Sequence, residues 1–196
     1  MGLREKKAQK VREAIYDAML TLAERDGYEA ATLEQVAERA EVAISTVYRY
    51  FANKDAILLD PIERNSGGLA DAFRARPENE NVTVSLGWTV HAALDMEPEQ
   101  LERSRRLRAQ LDRAAGPRAR LWDVVNQQRV LLEEAIAERS GRGPLWNAAA
   151  AHLTIMIIGM AVDHDRDSLD EITPNYYADQ IIAMLHGDGA PMPVRE

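Results

Sequence analysis

Apolar side chains recur along most of the chain at the three-and-four spacing that lines one face of a helix. The first stripe, Val11, Ala14, Ile15, Ala18, Met19, Leu22 and Ala23, predicts a helix over residues 8–25. Gly27 follows it, a residue type that accepts the left-handed position at a helix end. Thr32 with Gln35 three residues later makes a capping-box pattern ahead of Val36, Ala37 and Ala40, so a short second helix is predicted over about residues 33–40. Glu41 and Val42 interrupt the pattern. It resumes over 45–51, where Val47 and Tyr50 or Phe51 point inward while Thr46 and Arg49 face away. Asn53 caps a fourth helix. Pro61 inside that helix predicts a kink, because a mid-helix proline loses a backbone hydrogen bond and clashes with the preceding turn.

Beyond Gly67 the pattern stays helical. Residues 76–81 read as a polar loop, and further helices are predicted over 82–96, 98–115, 117–140, 144–163 and 174–186. Pro98, Pro117, Pro144 and Pro174 stand where first-turn prolines are tolerated, while Gly116, Gly141 and Gly187 stand at ends. The expected fold class is all-α with about nine helices. Residues after Gly187 lack periodicity and are expected to form a flexible tail over 188–196.

Composition supports this picture. The chain has 196 residues, 46% of them hydrophobic and 29% charged, with only 6% aromatic and few β-branched runs, a mix that favours helices. One compact unit or two packed modules are both compatible with that length. Cysteine is absent, which excludes disulfides, Cys-ligated metals and thiol nucleophiles. The longest apolar run, 148–162, is broken by His152 and Thr154 and is shorter than the roughly 20 residues of a membrane span, so it reads as a buried helix. The N-terminus has no apolar segment of the secretory kind, and the expected location is cytoplasmic, without membrane association. A formal net charge of −8 by itself argues against a nucleic-acid partner, whose phosphates require lysine and arginine. The charge is unevenly spread: Arg4, Lys6, Lys7, Lys10 and Arg12 face the single acid Glu5, so the first twelve residues predict a basic arm.

Residues 32–51 describe a helix, a tight turn and a second short helix, the arrangement that places one helix in the DNA major groove while its partner braces it. The segment GYEAATLEQVAERAEVAISTVYRYFANKDAIL, residues 27–58, resembles the DNA-binding domain of the tetracycline-repressor (TetR) family of bacterial transcriptional regulators. The resemblance rests on Gly27-Tyr28, on Thr32 opening the second helix, on Val36-Ala37, on the run from Thr46 to Phe51, and on Lys54. It implies an N-terminal helix-turn-helix domain over 1–53 with its basic arm, then a ligand-binding and dimerisation domain over 54–187 to which the fourth helix connects. In such a domain Thr32 and Lys54 meet phosphates. Tyr48 and Tyr50 reach the DNA backbone, and Ala43, Ile44, Ser45, Thr46 and Arg49 lie nearest the base edges. Arg49 suits guanine, whose two acceptors match its fork, or else a phosphate. Phe51 and Val47 read as core. The basic arm suits a phosphate, the minor groove or plain solvent.

Two positions depart from the family pattern. Glu41 stands where many members have glycine, so the turn either avoids a positive φ or is strained. Ile44 is apolar where relatives often carry a polar residue, so readout there is by thymine-methyl contact or by DNA shape.

The remaining two thirds match no motif. By resemblance, the last two helices form a homodimer interface through Ile157, Met160, Tyr177, Ile181 and Leu185, unless these are intramolecular core. Two-fold symmetry would then match a palindromic double-stranded DNA operator. Pocket candidates are Trp88, His91, Met96, Trp122, Asn126, Trp146, His152 and Met156, since ligand sites are mostly apolar with few polar atoms, although each alone is equally core material. An apolar or aromatic small-molecule effector is expected.

Asp163, Asp165 and Asp167 imitate a calcium loop, but Ser168 and Pro174 occupy its glycine and glutamate positions. His91, His152, His164 and His186 lack zinc-hydrolase spacing, and no phosphate loop or nucleophile elbow occurs. No enzyme activity, metal or cofactor is expected. The leading function is a ligand-responsive repressor. A transcriptional activator with the same DNA contacts, and a small-molecule-binding protein that no longer reads DNA, are the alternatives.

Overall fold

The computed structural model describes residues 2–167 and 173–187, so the expected tail at 188–196 lies outside the described residues. The described residues form eleven α-helices and no strand: α1 Leu3–Asp26, α2 Leu33–Arg39, α3 Ile44–Tyr50, α4 Lys54–Leu58, α5 Asp60–Glu63, α6 Gly68–Arg74, α7 Val82–Leu94, α8 Pro98–Leu111, α9 Ala115–Ser140, α10 Pro144–Asp167 and α11 Pro174–His186. The fold is all-α. Two features raise the count above nine. The expected kinked fourth helix is broken outright at Leu59 (φ −92°, ψ −2°), and Pro61 falls in the first turn of α5, where its missing N–H costs no hydrogen bond. Leu69, Ala70 and Phe73 bury one face of a separate helix, α6.

The helix start also differs. Arg4, Lys6, Lys7 and Lys10 are part of α1, so the basic arm is made of helical turns. At the other end Gly27 adopts φ 88°, ψ 145°, a conformation open essentially to glycine alone though not the left-handed helical one, and donates its N–H to the Ala23 carbonyl at 3.1 Å.

The chain divides into two compact units, Met1–Arg64 with Arg106–Val124, and Asn65–Arg105 with the chain from Val125 onward. The first unit therefore runs past residue 53 and takes in residues 106–124 as well. Its core closes around Ile15, Met19 and Leu20 of α1, Val36 of α2, Val47 of α3, and Ile57 and Leu58 of α4, all fully removed from water. Leu107, Leu111 and Ala114 complete it. Each large apolar side chain contributes about 1.5–3 kcal/mol by leaving water.

The second unit has two apolar clusters. One gathers Phe73, Leu86, Leu132, Ile136 and Ala151, and the other Val90, Leu94, Ile157, Ala161, Ala178 and Ile181. Arg139 serves the first cluster. Its guanidinium lies 4.7 Å from the Phe73 ring centre and donates to the carbonyls of Phe73 (3.1 Å) and Pro77 (2.7 Å), each of which also accepts a backbone N–H, so it ties α9 to the turn that follows α6. Arg105 ties α8 to α10 with paired bonds of 2.8 and 2.9 Å to Asp165, which is buried. Asp165 is thus committed to an arginine. Pro144–Asp165 of α10 is long and apolar enough to cross a membrane by length and composition, beyond what the shorter run predicts, and core helices of soluble proteins pass the same test. Only 39% of its most apolar stretch is buried, so α10 keeps an exposed apolar face.

Candidate nucleic-acid interface

The helix-turn-helix is assembled locally and then anchored by distant partners. Thr32 caps α2: its Oγ1 accepts from Gln35 N at 3.2 Å, and Gln35 Oε1 accepts from Thr32 N at 2.9 Å, so the predicted capping box forms. Val36 and Ala37 face the core. The turn is closed by the Val42 N–H on the Ala37 carbonyl at 3.0 Å. Glu41 adopts φ 54°, the strained alternative for this position.

α3 then presents one face inward and one outward. Val47 is fully buried, with Phe51 behind it and Ile44 packed partly against the same core. Ala43, Ser45, Tyr48 and Arg49 are exposed, while Thr46 and Tyr50 are half-buried. The Arg49 guanidinium lies 5.2 Å from the Tyr50 ring centre. Asn53 caps α4 by accepting from Ala56 N at 2.9 Å. Because Glu34, Glu38 and Glu41 all project into solvent from α2 and the turn, the positive charge here comes from Arg39, Arg49 and the exposed first turns of α1.

This is an exposed helix with its own buried anchors and a capped partner. Residues 15–60 match the family model for bacterial regulatory proteins of the tetR family. Over these residues the chain carries a DNA-binding domain of the tetR-family type. It is 34% identical over 93 residues to the transcriptional regulator TcmR of Streptomyces glaucescens, an alignment covering 47% of this chain and 41% of TcmR. It is 50% identical over 53 residues to the transcriptional repressor KstR of Rhodococcus jostii, covering 27% of this chain and 25% of KstR. The chain thus matches well under half the length of these curated relatives. Among solved structures, the SmeT–triclosan complex matches 95% of this chain and 99% of its own at 18% identity with a TM-score of 0.61, which is a likeness of fold.

Within the TetR-type domain the structure gives three residues partners that pattern alone did not assign. Lys54, expected at a phosphate, donates its Nζ to the carbonyls of Tyr28 (3.0 Å) and Glu29 (3.1 Å) and lies 4.7 Å from the Tyr28 ring centre, so it braces the loop ahead of α2. Tyr28 in turn donates its hydroxyl to Asp55. Burial and that carboxylate push the Tyr28 phenol well above its ordinary range, which keeps it a donor. Arg12, counted above with the basic arm, reaches across to Tyr50, Phe51 and Asp60. No sequence signal pairs residues so far apart.

The other candidate residues have varied surroundings. Trp122 is 72% exposed and belongs to the first unit, whereas the remaining pocket candidates lie in the second. There, Trp146 packs against the Phe73 cluster and Met96 against the Val90 cluster. Trp88 is exposed under the Arg76 guanidinium at 4.9 Å, and His91 Nε2 lies 3.0 Å from Asp179. Met156 is exposed, as is His152, whose Nδ1 meets the Ala148 carbonyl at 2.8 Å. Asn126 is exposed and accepts from Arg129. The residues expected at a dimer interface divide by burial. Ile157 and Ile181 are buried in the chain's own core, with Met160, Tyr177 and Leu185 half-buried against it. Leu145, Leu153 and Met156 of α10 and Tyr176 and Met184 of α11 are the apolar side chains left outside.

Proposed function

We propose that the protein is a ligand-responsive transcriptional repressor that binds a palindromic operator as a homodimer and is released by a small apolar or aromatic molecule. The observation that carries the reading is α3, seven residues long, with Val47 buried beneath it and Ser45, Tyr48 and Arg49 standing in solvent. A short helix held so firmly from behind and left bare in front is built to enter a groove. Thr32 and Tyr48 hold the backbone, Arg49 reads a base, and Ala43, Ser45 and Thr46 meet neighbouring edges. Ile44 and Tyr50 shape the helix surface more than they touch DNA, since both lean on the core. Lys54 uses two of its three donors on carbonyls and has one left for a phosphate.

The dimer forms through the exposed apolar residues of α10 and α11, an isologous pairing of one patch with its copy. KstR is named a repressor and SmeT binds triclosan, and both support repression relieved by an apolar effector here. Such a protein works in the cytoplasm, on the chromosome, and without catalysis. The test is binding of the purified chain to DNA from its own upstream region, by fluorescence anisotropy at stated salt against random-sequence competitor. Competitor-resistant binding is expected. Binding no tighter than to random DNA, both there and after selection from a random duplex library, contradicts the proposal.

A further inference from the structure

At the end of the recognition helix two guanidinium groups lie near one phenol ring. Arg49 lies 5.2 Å from the Tyr50 ring centre, and Arg12 lies 5.5 Å from the same centre and 4.9 Å from that of Phe51. Arg12 is itself anchored. Its Nη2 donates to Asp60 Oδ1 at 2.7 Å, its Nε is enclosed, and Asp60 is 3% exposed. The second oxygen of Asp60 faces Arg64 Nε at 2.9 Å, and Arg64 donates to Gln9. One side chain of α1 thereby joins the end of α3 to the first residue of α5, immediately after the break at Leu59.

Cohesion alone does not call for this arrangement. A buried ion pair adds little net stability over an apolar pair of the same volume, and the core already binds α1 to α3 and α4. A planar guanidinium held close to two tilted rings constrains their orientation, which a lysine cannot do as well. Resting on the DNA-binding reading above, we propose that Arg12 is a positioning residue for base readout: held by Asp60, it fixes the Tyr50 ring and, through that ring, the direction in which Arg49 leaves the recognition helix.

The test uses the full chain and a random-sequence DNA duplex library. Wild-type protein that enriches no motif means that the DNA-binding reading itself fails, and the role of Arg12 falls with it. With a motif in hand, Arg12→Lys and the double variant Arg12→Met with Asp60→Asn are compared with wild type for the ratio of motif to random-DNA affinity, for the salt dependence of motif binding and for melting temperature. The lysine keeps the ion pair without the plane, and the double variant leaves no buried charge unpaired, since Arg64, which loses its carboxylate, is part-exposed and keeps Gln9. Both are expected to lower the ratio roughly five- to tenfold with the salt slope unchanged. A double-variant slope shallower by about 0.9 per protomer means that Arg12 neutralises a phosphate directly, which overturns the proposal. So does a ratio within about twofold of wild type, whatever the melting temperature does. Should the double variant not fold, Arg12→Lys alone decides.

Discussion

Glu41 is the residue whose backbone is least at ease. At φ 54° a side chain with a Cβ is strained by roughly 1–2 kcal/mol, and glycine escapes that strain while losing more entropy on folding. Glu41→Gly is therefore expected to stabilise the protein by about 0.5–1 kcal/mol, read as a higher denaturant midpoint at unchanged slope. A lower midpoint would mean that the glutamate makes a compensating contact. Glu80 offers a pH-dependent counterpart. Hydrogen bonds from Arg76 at 2.6 and 3.0 Å, and one from Ser85 at 2.7 Å, hold its carboxyl down to about 2 from an ordinary 4.5. A depressed carboxylate contributes stability that is complete above its unfolded value and lost as pH falls through the folded one. Glu80→Gln should accordingly flatten the fall in melting temperature between about pH 4.5 and 2, and parallel curves for variant and wild type count against that assignment.

At the scale of elements, short helices depend on their ends. α2 has seven residues, too few to persist on propensity alone, and Thr32 satisfies one of its orphan N–H groups. Thr32→Ala is expected to cost about 1 kcal/mol, measured by denaturant unfolding. Since Thr32 is exposed and also a proposed phosphate contact, DNA affinity should fall by more than stability does. The elements divide by how local their causes are. Periodicity and capping in the sequence predict α1 to α3, the 76–81 loop and the later helices to within a few residues, because their causes lie within one or two turns. The break at Leu59 escapes such a reading, since whether a proline kinks a helix or opens a new one depends on what holds each half. Here Arg12 and Arg64 hold Asp60 at the new start.

For the whole molecule, the exposed apolar residues of α10 and α11 bear on assembly. Met156→Asp places a charge on the outer face, where a lone chain tolerates it and a self-complementary interface does not. Light scattering coupled to size exclusion is expected to show half the wild-type mass with helical content preserved. An unaltered dimer would place the interface elsewhere. Ile157→Asp is not an equivalent test, because it buries an unpaired charge in the chain's own core and costs the fold itself.

What the sequence determined alone is what neighbours within a few residues can cause: the all-helical class, the capping box, the inward Val47 and the outward Arg49, and with them the TetR-type domain. Only the tertiary structure decided which faces of apolar helices turn inward. Ile157 and Met156 are adjacent and equally apolar, yet one is core and the other surface. It also decided the long-range partners, Lys54 with the Tyr28 loop and Arg12 with Asp60 and Tyr50. Periodicity records that a face is apolar but not what covers it. A charge pattern records a cation but not the carboxylate that packing brings beside it from 48 positions away.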